Sequence, residues 1–257
     1  MLPLINEFLV GLLIFIRITA VLFTVPLFSS ASVPVSAKLM LGLALTYIIY
    51  FTIKPVGITY DAGLGIIFMI AVKEAITGMI LGFSLHFVFY SIAFAAMQMG
   101  MDMGLNMAAM FDPATEIENN VLGQIFGQAA VLIFLIINGH HFVIRGLAVS
   151  FSVIPLGHFT MNESVYLLML KASSGMFVAA IKIAAPIMVA FFLLHTAVGI
   201  ISRIIPQMQV FFVVQPVQLG LGLALLASGM PLFLYIIKYI LEQTENSLYD
   251  LIKVMGY

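Results

Sequence analysis

Five stretches of this sequence, residues 18–37, 75–101, 119–144, 183–202 and 204–237, contain no Asp, Glu, Lys or Arg. Each meets the roughly 18-residue length at which an apolar helix crosses a bilayer. Across all 257 residues the chain is 63% hydrophobic and 8% charged, whereas soluble domains carry about 25% charged residues. These features predict an all-α membrane protein of long kinked helices and helical hairpins, in five or six hydrophobic helical blocks. No soluble domain fits between them.

Turn signals separate the blocks at residues 26–38, 54–61, 112–120 and 155–163, and the tail begins at Glu242. No low-complexity linker or internal repeat divides the chain, so one folded unit is expected. The apolar text starts almost at once, no Lys or Arg precedes it and Arg17 interrupts it. An uncleaved first helix is therefore expected, although Ser29, Ser30, Ala31 and Ser32 have the small side chains of a cleavage site. The chain has no cysteine, which excludes disulfides, a thiolate nucleophile and cysteine metal sites. A net charge of −1 with scattered basic residues argues against nucleic acid and against electrostatic attachment to lipid.

Residues 62–101 and 162–201 are each forty residues long without a strong turn signal. As continuous helices they would reach about 60 Å, twice the hydrocarbon core. Each either hides a hairpin or is a long kinked helix that projects beyond the bilayer, with Pro186 as a kink site in the second. Arg17, Lys73, Lys171, Lys182 and Arg203 lie singly, several inside apolar text, which leaves the positive-inside rule little to count. An ionisable group facing lipid is costly, so these side chains are expected to face protein or an aqueous lumen. Small residues four apart, Gly78 with Gly82 and Gly100 with Gly104, suit close helix packing, within the chain or between subunits.

The densest local signal is a run from Met97 to Met110 that holds six methionines, with glycines at 100 and 104. Thioether side chains re-pack around irregular partners and glycine loosens the backbone, so adaptable packing and a mobile constriction are both open readings. Copper(I) binding by Met97, Met99, Met101 and Met103 is a third. Asp112 and Pro113 read as the N-cap and first position of a new helix, which would hold residues 105–111 as a loop between two helices.

Other constellations are weaker. His140 and His141 after Asn138-Gly139 point about 100° apart on a helix and sit in no HExxH motif, so a helix-end turn competes with metal binding. Lys73 and Glu74 resemble a carrier pair, but neighbours on a helix face different ways, and pairing with other helices is expected. Lys171 and Lys182 fall on nearly the same face and could line a wet surface or meet partner carboxylates. Ser173, Ser174 and His195 give no complete nucleophile-base set, and no enzyme activity is expected. Gln207, Gln215 and Gln218 would form a polar seam, serving as packing glue or pore lining.

Taken in order, Arg17 with Pro26 and Pro34, Glu74 with Gly78 and Gly82, Met103-Gly104 leading to Phe111-Asp112-Pro113, Asn138-Gly139-His140, and Gly199, Ser202-Arg203, Pro206-Gln207-Met208 resemble the FliR family of flagellar biosynthesis proteins. The likeness covers essentially the whole chain. It departs from the family pattern at Met97, Gln209 and Gln215.

The resemblance implies one subunit of a type III protein export gate, present as a single copy with several P-type and Q-type subunits and served by B-type and A-type export proteins. Unfolded polypeptides would pass through the centre of the assembly in the bacterial inner membrane, within the flagellar basal body. It also implies that residues 1–187 resemble a P-type subunit and residues 188–257 a Q-type helical hairpin. The pore plug would then comprise Met103, Gly104, Leu105, Asn106, Met107, Met110 and Phe111, anchored by Asp112 and Pro113. Arg17, Lys73, Glu74, Arg203 and Gln207 would be structural or intersubunit polar contacts. No cofactor or metal is implied. The competing hypothesis is a secondary transporter or metal permease whose Gly- and Pro-broken helices build a midplane site.

Overall fold

The structure is a computed structural model that describes residues 2–29, 33–53, 63–105, 121–204 and 210–256. Among the described residues the chain forms helices α1 (Leu2–Thr24), α2 (Pro26–Ser29), α3 (Val35–Ile53), α4 (Leu64–Asp102), α5 (Val121–Ile136), α6 (Gly139–Val153), α7 (Glu163–Ile204) and α8 (Val210–Met255). No strand accompanies them. Helix is the expected answer for apolar text of this length, because lipid offers no partner for an unpaired peptide group.

Among the described residues five helices are long and apolar enough to cross a membrane, and a sixth span results if the bent pair α5 and α6 counts as one. That agrees with the five or six blocks read from the sequence. The forty-residue blocks are not hairpins: α4 runs unbroken for 39 residues and α7 for 42, with Pro186 inside α7. The 46-residue α8 likewise carries Pro216 and Pro231 within it.

Local chemistry sets the helix ends. At the start of α7 the Asn162 side-chain oxygen accepts a bond of 2.8 Å from the Val165 N–H, satisfying one of the free donors of the first turn. Between α5 and α6 the chain bends by 69° at Asn138, which adopts φ 60, a conformation that Asn tolerates better than most side chains. Gly139 follows, buried against the Phe134 ring with no room for a Cβ.

The chain divides into two compact units, the first comprising Met1–Val88, Phe134–Ser174 and Glu242–Tyr257, the second Phe89–Ile133 and Gly175–Leu241. In the first unit the core draws on Leu13, Ile14, Ile18 and Leu22 of α1. Val21, Leu81, Leu85, Val143, Leu147, Leu248 and Ile252 surround a small apolar gap in the same unit. Gly78 lets α4 meet α1, since a Cβ there would lie 2.5 Å from the Arg17 carbonyl oxygen and 2.7 Å from the Ala20 Cβ. Gly82 packs in the same way on Thr24. This glycine pair therefore serves packing within the chain.

The second unit buries Ile92, Ala95, Ala96 and Met99 of α4 and Ala180, Ile183, Ile187 and Phe191 of α7. Phe126 of α5 meets Phe233 of α8 edge-on at 5.8 Å between centroids, and Phe94 meets Phe177 in the same manner at 5.8 Å.

Candidate functional site

Two groups of the residues singled out in the sequence are built into defined surroundings, one in each unit. In the first unit Arg17 and Glu74, 57 positions apart in sequence, form an ion pair in which both side chains are fully buried. The Arg17 Nε donates to Glu74 Oε2 at 2.6 Å, and Nη1 donates to the carbonyls of Ser150 and Ile154 at 3.2 and 3.1 Å. The guanidinium carbon lies 4.3 Å from the centroid of the Phe151 ring, a cation–π contact. Of the three guanidinium nitrogens of Arg17, Nη2 has no hydrogen-bond partner among the described residues. Glu74 Oε1 accepts the Gly157 N–H at 2.8 Å, and Lys73 Nζ reaches the Gly157 carbonyl at 3.4 Å.

Lys73 and Glu74 thus both meet the turn that follows α6. A buried charge is tolerated when it is paired and its remaining polar atoms are bonded, and this knot meets most of that requirement. It ties α1, α4, the end of α6 and the turn at Gly157 into one structure. A carboxylate bound to a guanidinium and to a peptide N–H is poorly suited to shuttle protons, which favours a structural role over the carrier reading of Lys73 and Glu74.

In the second unit the methionine-rich stretch begins as the last turns of α4. Met99 and Met103 are fully buried, whereas Met97 and Met101 are 40% and 42% exposed. The four thioethers therefore point to different surroundings and do not converge as copper ligands. Gly104 has φ +75. Its N–H bonds to the Met101 carbonyl at 3.0 Å and the Leu105 N–H to the Gly100 carbonyl at 3.0 Å, the paired bonds of a Schellman cap. Gly104 consequently stops α4 in a defined turn, where the sequence suggested loosening.

The turn is seated on α8. A Cβ on Gly104 would strike the Gln215 side chain, and a Cβ on Gly222 would strike the side chain of Met103. Nearby, Gln98 Nε2 donates to Asp102 Oδ1 at 3.3 Å, and His195 of α7 lies close enough to act electrostatically on Asp102. The amide of buried Gln218 lies 2.7 Å from His195 Nε2. For Gln218, then, the seam acts as a bond between helices of the same chain.

Of the remaining sequence-derived residues, Leu105 is partly buried, and Arg203, Lys171 and Lys182 are exposed on α7. Asn106, Met107, Met110, Phe111, Asp112, Pro113 and Gln207 lie outside the described residues. Ser173 and Ser174 each donate to a carbonyl of their own helix. Among the described residues no three His, Asp or Glu side chains gather as metal ligands.

The sequence reading missed three participants. Gly157, the turn clamped by Glu74 and Lys73, was foreshadowed only by the break at Pro155. His86 has its Nδ1 2.6 Å from the Thr24 carbonyl at the end of α1, and Gly222 receives Met103. Neither carries a local signature.

A family model described as bacterial export proteins, family 1, matches residues 8–244. Flagellar biosynthetic protein FliR of Escherichia coli (strain K12) is 32% identical over 92% of this chain and 90% of its own length. FliR of Aquifex aeolicus is 31% identical over 98% and 95%, and FliR of Bacillus subtilis 28% identical over 95% of both chains.

Proposed function

This chain belongs to the bacterial export proteins, family 1, and on that basis we propose that it is a membrane-embedded component of the flagellar protein export apparatus. The observation that carries the reading is the match along residues 8–244, reinforced by relatives named as flagellar biosynthetic proteins and aligned over nearly their whole length. The chain works as one subunit of an export gate with P-type and Q-type subunits, its residues 1–187 packing as a P-type subunit and residues 188–257 as a Q-type hairpin. B-type and A-type proteins serve the gate, and the chain does no catalysis of its own. The gate stands in the bacterial inner membrane at the flagellar basal body and passes unfolded polypeptides.

The methionine-rich segment closes the resting channel, with residues 105–111 as the sealing loop that follows Met103 and Gly104, and Asp112 and Pro113 as its anchor. Soft thioethers favour this role because they re-pack around many surfaces without selecting one sequence. Exposed Lys171, Lys182 and Arg203 on α7 then face partner subunits or a wet lumen, since lipid would penalise them.

Co-purification tests the assembly: the tagged chain should bring down two further small membrane proteins, and reconstituted alone it should move no solute. Solute transport by the lone chain would replace the export reading with a transporter. Deleting residues 106–111 should leave assembly intact and raise small-molecule leakage through the resting gate. Unchanged leakage in assembled complexes would remove the plug.

A further inference from the structure

We propose that Gly222 is a socket that fixes the Met103–Gly104 turn on α8, making Met103 and Gly222 positioning residues that set where the chain leaves α4. The proposal rests on the export-gate reading above and deepens it, because it uses only the turn itself and the helices beneath it.

Four observations converge on the socket. Met103 is fully buried although it stands at the very end of a helix, where side chains are ordinarily free to fray. Its Cγ, Sδ and Cε all lie in the space that a side chain at position 222 would need, so the knob and the missing Cβ fit one another. The turn is closed by both capping bonds and by a glycine in the left-handed region at 104, itself packed against Gln215. One helical turn before Gly222, Gln218 is bonded to His195, which fixes α8 against α7 at the level of the turn. Releasing Met103 would expose a fully buried side chain, and the capped turn would lose its support on α8. The turn therefore stays seated as the gate works, and any movement needed for transport lies elsewhere.

The chain has no native cysteine, which makes the contact directly testable. Met103→Cys combined with Gly222→Cys should cross-link on oxidation in assembled complexes, and the oxidised gate should export substrate at the same rate as that variant when reduced. Failure to cross-link would refute the contact. Export that stops on oxidation and recovers on reduction would overturn the fixed seat and make the contact a latch.

As a second readout, Gly222→Leu should raise resting leakage several-fold while co-purification with partners is kept. Adding Met103→Ala should return leakage towards wild type, because the two substitutions exchange knob and hole. A double variant as leaky as Gly222→Leu alone would defeat the proposal. These outcomes are separable from the plug itself: a deletion of residues 106–111 that fails to leak would remove the plug and leave the cross-link intact.

Discussion

Replacing Glu74 with Gln tests whether the buried knot holds the first unit together. The substitution keeps shape and leaves one oxygen to accept the Gly157 N–H, but it removes the carboxylate that meets Arg17. The guanidinium would remain fully buried, with two backbone carbonyls and the Phe151 ring as its surroundings. Breaking a buried pair by removing one partner costs about 3–5 kcal/mol, whereas an exposed pair is worth only about 0–1 kcal/mol. The full burial of both partners decides for the larger figure.

A double-mutant cycle sharpens the test. In Arg17→Leu/Glu74→Leu both charges disappear, and the Ser150 carbonyl still receives the Ile154 N–H at 2.8 Å. What remains is a loss of partners at the Gly157 N–H and the Ile154 carbonyl, about 1–3 kcal/mol for each group left unsatisfied. The double variant should therefore be less destabilised than the sum of the single variants, by about 1–3 kcal/mol. Reversible unfolding in mixed micelles, followed by helical circular dichroism, measures all three. A Glu74→Gln variant within about 0.5 kcal/mol of wild type, or additive single effects, would refute the assignment of this pair as the principal polar tie of the unit.

Further substitutions probe the local arguments. Gly78→Val should destabilise by about 1–3 kcal/mol, as overpacking does, because even a Cβ meets the Arg17 carbonyl; the same unfolding assay checks it, and a neutral result would mean that α1 and α4 are not in close contact. Asn162→Ala should cost about 1 kcal/mol through loss of the α7 cap, with Asn162→Asp retaining most of the stability. Gly104→Ala should cost more than a kilocalorie, since a left-handed position is strained for alanine by about 1 kcal/mol and the Gln215 side chain must also move; Gln215→Ala in the same chain should recover only the steric share.

What the sequence made legible follows from how far each signal reaches along the chain. Apolar runs announce membrane helices because lipid imposes a minimum length, and the spans Gly65–Asp102 and Glu163–Ile204 contain the charge-free runs 75–101 and 183–202. The same runs left hairpin and long helix undecided, because a tight turn buried in protein needs no polar punctuation; only the unbroken α4 and α7 settle it. Arg17 and Glu74 are both conspicuous as ionisable groups in apolar text, yet their pairing is not, since three of their four hydrogen bonds run to peptide groups at 150, 154 and 157, which carry no side-chain signature.

Gly104 acts through a fixed conformation and not through looseness. Glycine reads as freedom in a sequence, whereas here its value is access to one left-handed conformation that ends α4 in two specific bonds. Gly222 was passed over because a socket is defined by what fills it, and Met103 is 119 positions away. The methionine-rich segment thus combines a soft composition with a rigidly seated root. In the plug role proposed above, a closure that seals around varied polypeptides needs both: side chains that adapt, and a fixed point from which they adapt, since a plug free at its root would gain nothing from re-packing at its tip.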